Sequence, residues 1–525
     1  MALGFERSRG VSRSISTGLL ARKDLISDDD RERIKKIKEA WNFYDGYHWE
    51  DIPATDAPEL AINYCRAFVD KFVAFELGKA FTIRVHPDLE DIPSGENDPD
   101  AEPTKIVVTE DGRSLFQFLE DVWEDNDQYS LCTEFGQMKS VTGDAWLQVR
   151  YFSPEEIDDP FEEYSNGRIG ILLHSTDTVF PKYDPHRKGV MTSLEIIYEY
   201  EDTSINILGR ERVEKKIFQQ IWTNTEVVTR QGKDEERQSN DLGFIPFVQI
   251  KNLPVAASNE GRGDLDDVIP LNVEYNTKSS NVSEIIDYHA APITVVYGAK
   301  IGNLEKGANK VWGGLPRDSK VENLNMQTEL TASTNYIRSL KTSMCEVVGI
   351  PETALGGAQS ISNTSGVALQ YINLPLIEKT RIKRMKTETA LERLNKMIIR
   401  VALMNGLLTK PEGTEMRDFF WNEVTIPDTL PKDMLMELQQ IQIEMKLGME
   451  SRKGGMRRLG KENVDKLVQE IDTDIQAYPT LYGINPLQEE PQMNSGMLNG
   501  QTMGEQANIA LTGQNAGFGN NVGHP

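Results

Sequence analysis

Apolar residues recur at helical spacing along much of this chain, interrupted by one run of strand-like segments. In residues 62–77, INYCRAFVDKFVAFEL, the positions Ile62, Phe68, Val69, Phe72, Val73 and Phe75 suit one broad apolar face, and Gly78 supplies a C-terminal stop. The same spacing predicts helices from Arg31 to about Tyr47, near Leu115–Asp125 and near Tyr129–Val141. Residues 87–112 are rich in proline and acids and read as an exposed loop. Next come AWLQVRYF, GILLHS, LEIIYEYE and KIFQQIWTN, strand-like and separated by turn residues. GFIPFVQIKN at 243–252 closes this region.

After GRGDLDD the helical period returns, with Val268, Leu271, Tyr275, Val282, Ile285 and His289 in register. Pro270 is tolerated only in a first turn, so this helix starts just before it. Residues 291–326 change to short strands, APITVVYGA, KVWGGL and SKVENL, with Gly and Asn turns. A second helix over about Gln327–Val348 repeats the narrow stripe with Leu330, Ile337, Leu340, Met344 and Val347. Two helices of ~20 residues, each about 30 Å long, therefore flank a small β insertion. Narrow apolar stripes with polar outer faces require packing on more than the pair itself, most simply on copies in a ring.

The small, polar stretch LGGAQSISNTSGVALQ, residues 355–370, runs into a helix expected from Thr364 to Met404, with a kink at Pro375. FFWNEVTIPDTLP reads as a strand and turn, and residues 432–475 as helix again with a break at Leu447–Gly455. The first 35 residues read as a polar arm. Beyond Tyr478 the Gln-, Asn-, Gly- and Met-rich sequence reads as a disordered tail.

Length and charge narrow the function. At 525 residues the chain exceeds what one core serves, and about two to four domains are expected. No apolar run approaches the ~20 residues of a membrane helix, and the N-terminus lacks the apolar core of a signal peptide. Cys65, Cys132 and Cys345 are far apart and odd in number, which argues against a disulfide framework or a CxxC metal site and suits a reducing compartment. The 6 histidines never fall as HxxxH or HxH, so no zinc ligand set is expected. A net charge of −25 argues against tight, general nucleic-acid binding, yet a duplex that must slide past a wall is helped by weak repulsion there.

Site chemistry is sparse. A phosphate-cradling loop needs Lys and Ser or Thr directly after its last glycine, whereas Gly366 is followed by Val367 and Ala368 and no strand precedes it. The acids Asp264, Asp266 and Asp267, and Asp472 with Asp474, suit either Mg²⁺ in a nuclease or ordinary helix-start and surface charge. The one strong basic run is Lys379, Arg381, Lys383, Arg384 and Lys386, continued by Arg393, Lys396 and Arg400. It fits a solvated helix face or partners for the chain's surplus carboxylates. It also fits a subunit interface or DNA. No local Ser/His/Asp or Cys/His arrangement stands out, and no cofactor is expected.

The order of segments nevertheless has a likeness. IPFVQIKN, then GRGDLDDVIPLNVEYNTKSSNVSEIIDYHAAPITVVYG, then VWGGLPRDSKVENLN resembles the portal proteins of tailed bacteriophages. VVGIPETALGG, SGVALQYINLPLIEK and WNEVTIPDTLPKD continue the match in that family's order. INYCRAFVDKFVAFELGKAFTI and VTGDAWLQV fit its N-terminal part. Each motif is weakly specific, and their colinear succession over about residues 40–475 carries the likeness.

The resemblance implies an α+β portal fold with an α/β wing, a two-helix stem, a small β-rich clip and a helical crown. Carried onto this sequence, a flexible arm spans 1–39 and the wing spans 40–262 and 350–431. The stem helices span 263–290 and 327–349, the clip 291–326, the crown 432–477 and the tail 478–525. The wing's second part holds a tunnel loop at 352–364 and the long helix at 364–404. The implied assembly is a homo-oligomeric ring, usually of twelve subunits, at one capsid vertex of a virion assembled in the host cytoplasm. It passes double-stranded DNA without sequence preference and has no enzymatic activity and no membrane contact. Its implied partners are the terminase large subunit, the major capsid and scaffolding proteins, and a head-completion adaptor.

In this reading Gln359, Ser360, Ser362, Asn363 and Thr364 offer weak, interchangeable contacts to passing phosphates, and Gly356 and Gly357 form the hinge. Lys278, Arg338 and Lys341 are the candidates to line the channel, and Trp312 to contact a partner at the clip. The rivals are a metal-dependent nuclease built on the Asp264 cluster, and another phage structural ring such as an adaptor. The missing nucleotide motif weighs against an ATPase, and the paired long helices around a β insertion weigh against an adaptor.

Overall fold

The computed structural model describes residues 25–49, 60–89, 107–157, 164–187, 189–205, 211–232, 234–290, 294–297, 320–323, 330–356, 371–428, 434–459 and 464–478. Two compact units are present, Met1–Pro431 and Lys432–Pro525.

The larger unit begins with α1 (Asp28–Asp45), whose N-cap Ser27 accepts the Asp30 N–H and whose first turn carries three aspartates. Helix α2 (Tyr64–Leu77) is capped by Asn63 and stops at Gly78, and strand β1 (Thr82–Val85) follows. Helix α3 (Leu115–Asp125) opens with a reciprocal capping box between Ser114 and Gln117, and α4 (Gln128–Thr142) is capped by Asp127. Gly136 lets α4 lie against α2, since a Cβ there would sit 2.7 Å from Leu77 Cδ1.

Strand β2 (Asp144–Phe152) is the centre of a three-stranded antiparallel sheet, with β3 (Arg168–His174) on one side. A five-stranded antiparallel meander follows: β4 (Val179–Tyr183), β5 (Met191–Ile205), β6 (Glu211–Trp222), β7 (Glu226–Gln231) and β8 (Asp234–Ser239). Its long central hairpin is the predicted LEIIYEYE/KIFQQIWTN pair. Strands β4, β7 and β8 lie outside the sequence prediction. β8 reads DEERQS and is exposed throughout, so it offers no apolar alternation to detect. β9 (Phe247–Lys251) returns to the other edge of β2, with Trp146 opposite Gln249. A two-residue bridge between β10 (Leu253–Pro254) and β11 (Gly261–Arg262) completes the turn.

Helices α5 (Ile269–Ala290) and α6 (Leu330–Val348) flank an antiparallel pair, β12 (Thr294–Tyr297) and β13 (Lys320–Asn323). Pro270 sits in the first turn of α5, as its missing N–H requires. The predicted strand KVWGGL lies outside the described residues. The face that α6 buries consists of Leu340, Met344, Cys345 and Val348. It is rotated from the predicted stripe, and Val347 is 51% exposed.

The expected interruption at Pro375 falls just ahead of helix α7 (Leu374–Met404); residues 364–370, the first part of the expected helix, lie outside the described residues. Residues 371 and 372 are helical, Asn373 is a turn, and α7 starts afresh with Pro375 in its first turn, where no backbone donor is lost. Short α8 (Met416–Phe419) leads to β14 (Asn422–Thr425), which pairs with β1 so that Ile83 faces Val424.

Two cores result. One joins α3, α4, β1, β2, β3, β9 and β14 to the inner face of α7, through residues such as Leu119, Trp123, Phe135, Leu147, Leu394 and Ile398. The other joins α1 and α2 to the start of α5, the end of α6 and the start of α7, through Phe68, Phe72, Val268, Met344, Ile350 and Leu376. Each fully buried large apolar side chain contributes about 2–3 kcal/mol.

The smaller unit contains α9 (Met434–Lys446), α10 (Arg452–Arg458) and α11 (Val464–Ala477). Arg458 bridges Glu437 at 3.5 Å and Glu444 at 2.6 Å, and Arg452 pairs with Asp472 at 3.3 Å.

Candidate functional site at the helix junction

The residues around 264, 350 and 380 converge where α5 begins, α6 ends and α7 begins. The chain leaves α6 through Gly349, whose φ of +79 suits glycine, and passes Ile350 and Pro351 into a single 3₁₀ turn, Glu352–Leu355. Gly356 then adopts φ +87, a backbone conformation that suits glycine, with open space where a Cβ would lie. Lys379 Nζ on α7 donates to Val348 O (3.0 Å), tying the start of α7 to the end of α6.

The electrostatic centre of the junction is Asp264. Its carboxylate pairs with Lys383, both side chains being inaccessible, and with Lys379 at 3.3 Å, and it accepts from Asn252 Nδ2 at 3.0 Å. Burial alone would raise its pKa, but the two ammonium groups outweigh burial and hold Asp264 below the usual carboxylate range. Both lysines lie over the ring of Phe72, at 4.6 Å for Lys379 and 4.0 Å for Lys383. One turn on, Thr387 links a second buried pair, Glu76 on α2 with Lys139 on α4. Burial pushes both Lys139 and Lys379 below the ordinary lysine value. Arg384 reaches Asp428 and the carbonyl of Phe75.

This geometry divides the basic run of α7. Lys379, Lys383 and Arg384 turn inward as partners of the chain's own carboxylates. Arg381, Lys386, Arg393, Lys396 and Arg400 are exposed. It also disposes of the acidic cluster as a metal site: Asp264 is held by two ammonium groups, and Asp266 and Asp267 face Arg262. Among the described residues no group of His, Cys, Asp and Glu is arranged to hold a metal ion.

The predicted loop residues Gly357, Gln359, Ser360, Ser362, Asn363 and Thr364 lie outside the described residues, as does Trp312; Gly356 alone of that set is described. Lys278 on α5 sits 3.5 Å from Glu274, and Lys341 on α6 sits 3.6 Å from Glu352. Arg338 on α6 is exposed.

Two buried asparagines escaped the sequence reading. Asn272 accepts the Tyr64 N–H (3.1 Å) and donates to Ile62 O (3.0 Å), while Asn276 accepts the Ile62 N–H (2.9 Å). Asn276 Nδ2 also lies 2.8 Å from His48 Nδ1, and burial pushes His48 below its ordinary value, toward the neutral ring that can accept there. The pair fastens an irregular segment ahead of α2 to α5. Its signal was visible, since two asparagines four apart beside an apolar stripe share a helix face.

A chain in which paired helices flank a small antiparallel strand pair, and both meet a long helix at one ionic junction, is of α+β class. It belongs to the phage portal protein family of the SPP1 Gp6-like type, whose family model matches residues 23–479. Among solved structures, it is similar to a chain from the virion of the native gene transfer agent (GTA) particle. That likeness has 11% identity and a TM-score of 0.41, and covers 81% of this chain and 93% of that chain. No curated protein matches the chain. No described helix is long and apolar enough to cross a membrane.

Proposed function

We propose that this chain is the structural subunit of a portal ring, usually of twelve copies, that passes double-stranded DNA through one capsid vertex. The match to the portal family along residues 23–479 carries this reading. In it, 40–262 and 350–431 form the wing, α5 and α6 the stem, the β12/β13 region the clip and 432–477 the crown. Residues 352–364 are the tunnel loop, with Gly356, Gly357, Gln359, Ser360, Ser362, Asn363 and Thr364 toward DNA. The bond between Lys379 and Val348 O, which ties together the described helices α6 and α7, supports this, because a loop touching a moving duplex needs fixed flanks.

The net charge of −25 per subunit keeps DNA weakly held on average. Lys278, Arg338 and Lys341 then supply local, salt-dependent phosphate contacts. The clip, with Trp312, docks the terminase large subunit and later the head-completion adaptor, and the wing meets capsid and scaffolding proteins. The ring is assembled in the host cytoplasm and acts without enzymatic chemistry.

Electron microscopy of the purified protein tests the class, with a ring and central hole expected; a strictly monomeric protein at all concentrations would refute it. Deleting Gln359–Asn363 tests the loop. Ring assembly should persist while the length of nuclease-protected DNA in assembled heads falls. Normal length and retention would make the segment a plain connector.

A further inference from the structure

The outward face of α7 carries a row of exposed cations in an acidic chain, with Glu392 among them, close enough to interact electrostatically with Lys396. Leu374, Glu378, Ile382, Met385, Lys396 and Arg400 lie within one arc of the helical wheel, and Lys386 and Arg393 border it. The stripe runs about 40 Å. Its basic members make no salt bridge among the described residues. Some exposed cations elsewhere do pair, as Arg113 does with Asp111 at 2.7 Å and Asp121 at 2.6 Å, while others, such as Arg338 and Arg417, form no salt bridge among the described residues. Its apolar members are Leu374, Ile382 and Met385, which are 43%, 48% and 57% exposed.

We infer that this stripe is a docking surface for a second copy of the chain. This rests on the ring reading above and assigns one side of the subunit contact to the outer face of α7. Charge complementarity selects the occupant. With 82 acidic against 57 basic residues, another copy presents an acidic surface to whatever cations it meets. The apolar half of the stripe favours protein over nucleic acid, because phosphates would leave Ile382 and Met385 uncovered and would face Glu378. A neighbouring subunit covers the aliphatic side chains and pairs with the cations in one contact.

The test uses rings of the full-length protein assembled from equal amounts of ¹⁴N- and ¹⁵N-labelled chains. Carbodiimide treatment joins lysines to touching carboxylates, and Lys386 and Lys396 should appear in mixed-isotope peptides linked to Asp or Glu. Both should also be protected from acetylation in the ring relative to dissociated protein. Triple reversal, Arg393→Glu, Lys396→Glu and Arg400→Glu, should raise the concentration needed for assembly by about tenfold or more, with an unchanged circular dichroism spectrum and melting temperature.

Same-isotope links alone would overturn the inference, because the stripe would then serve its own chain. Free acetylation in the ring, with protection only after adding a 50-base-pair duplex, would overturn it in favour of DNA. Assembly of the triple variant at wild-type concentration would also overturn it. Wild-type protein that stays monomeric refutes the ring reading as well, whereas an intact ring with reactive Lys396 refutes this inference alone.

Discussion

Lys383 and Asp264, 119 residues apart, form an ion pair with both side chains fully inaccessible, and the Lys383 ammonium lies 4.0 Å from the centroid of the Phe72 ring. The pair joins the start of the long helix to the turn that launches the first paired helix. A buried pair gains little over a well-packed apolar replacement, but half of one is costly.

Lys383→Met should therefore destabilise the protein by about 3–5 kcal/mol, because Asp264 keeps only Lys379 and Asn252. Asp264→Asn combined with Lys383→Met should cost clearly less than Lys383→Met alone. Urea midpoints at constant slope measure both. A single variant within about 1 kcal/mol of wild type would mean that Asp264 finds water or relaxes toward Lys379.

The asparagine pair makes a local prediction. Asn272→Ala removes the acceptor of the Tyr64 N–H and Asn276→Ala that of the Ile62 N–H, leaving each donor unpaired at a cost of about 1–3 kcal/mol. Hydrogen exchange should quicken at the amides of Ile62 and Tyr64 before it changes in the sheet around β2. Uniform quickening would show that the segment unfolds only with the whole unit.

What the sequence revealed and concealed follows from where the information lies. Leu115–Asp125 was legible because its apolar spacing and the cap at Ser114 agree. The β2/β3/β9 strands were legible from their apolar content. Strand β8 was not, because it is held by backbone pairing to β7 and by side-chain pairs such as Arg230–Glu235. The burial of Lys383 and Lys139 was not legible either, since a polar letter reads as solvent until its partner is known, and those partners are far away in sequence. An interruption near Pro375 was legible from the proline itself, whereas its place at Asn373 leaves no composition signal. For the site, the acids around Asp264 suited either a metal or ordinary charge and the basic run suited partners for the chain's carboxylates, and only the fold shows that Lys379 and Lys383 meet Asp264.

Close packing of α2 on α4 gives a third expectation. In Gly136→Ala the added methyl meets Leu77 Cδ1 at 2.7 Å and Val73 Cγ1 at 3.3 Å. Overpacking of about 1–3 kcal/mol opposes the ~1 kcal/mol that alanine gains over glycine in a helix. The net should be destabilising by about 1 kcal/mol. A double-mutant cycle with Leu77→Ala should show a favourable coupling above about 0.5 kcal/mol, as the methyl enters the space that Leu77 vacates. Zero coupling would place the strain at Val73 instead.

The sheet around β2 carries two groups that titrate against each other. Burial pushes His174, which packs near Phe247 and bonds Gln148 at 2.8 Å, down to about 4. Burial pushes Asp144 up to about 6, although Gly261 N–H and Gln249 Nε2 each donate to it at 2.9 Å. Between about pH 6.5 and pH 4 the unfolded chain binds the histidine proton more readily than the folded one, so His174 costs stability as pH falls through that window. Asp144 does the reverse: the folded chain takes up its proton first, so stability is gained as pH falls from about 6 toward 4. From pH 7 to pH 5 the two contribute about −2 and +1 kcal/mol, and wild type should show a shallow net loss from them. His174→Gln should lose about 2 kcal/mol less than wild type over that interval, and Asp144→Asn about 1 kcal/mol more. Urea melts at the two pH values separate the cases; identical pH slopes in wild type and both variants would mean that these groups titrate alike in the folded and unfolded chain.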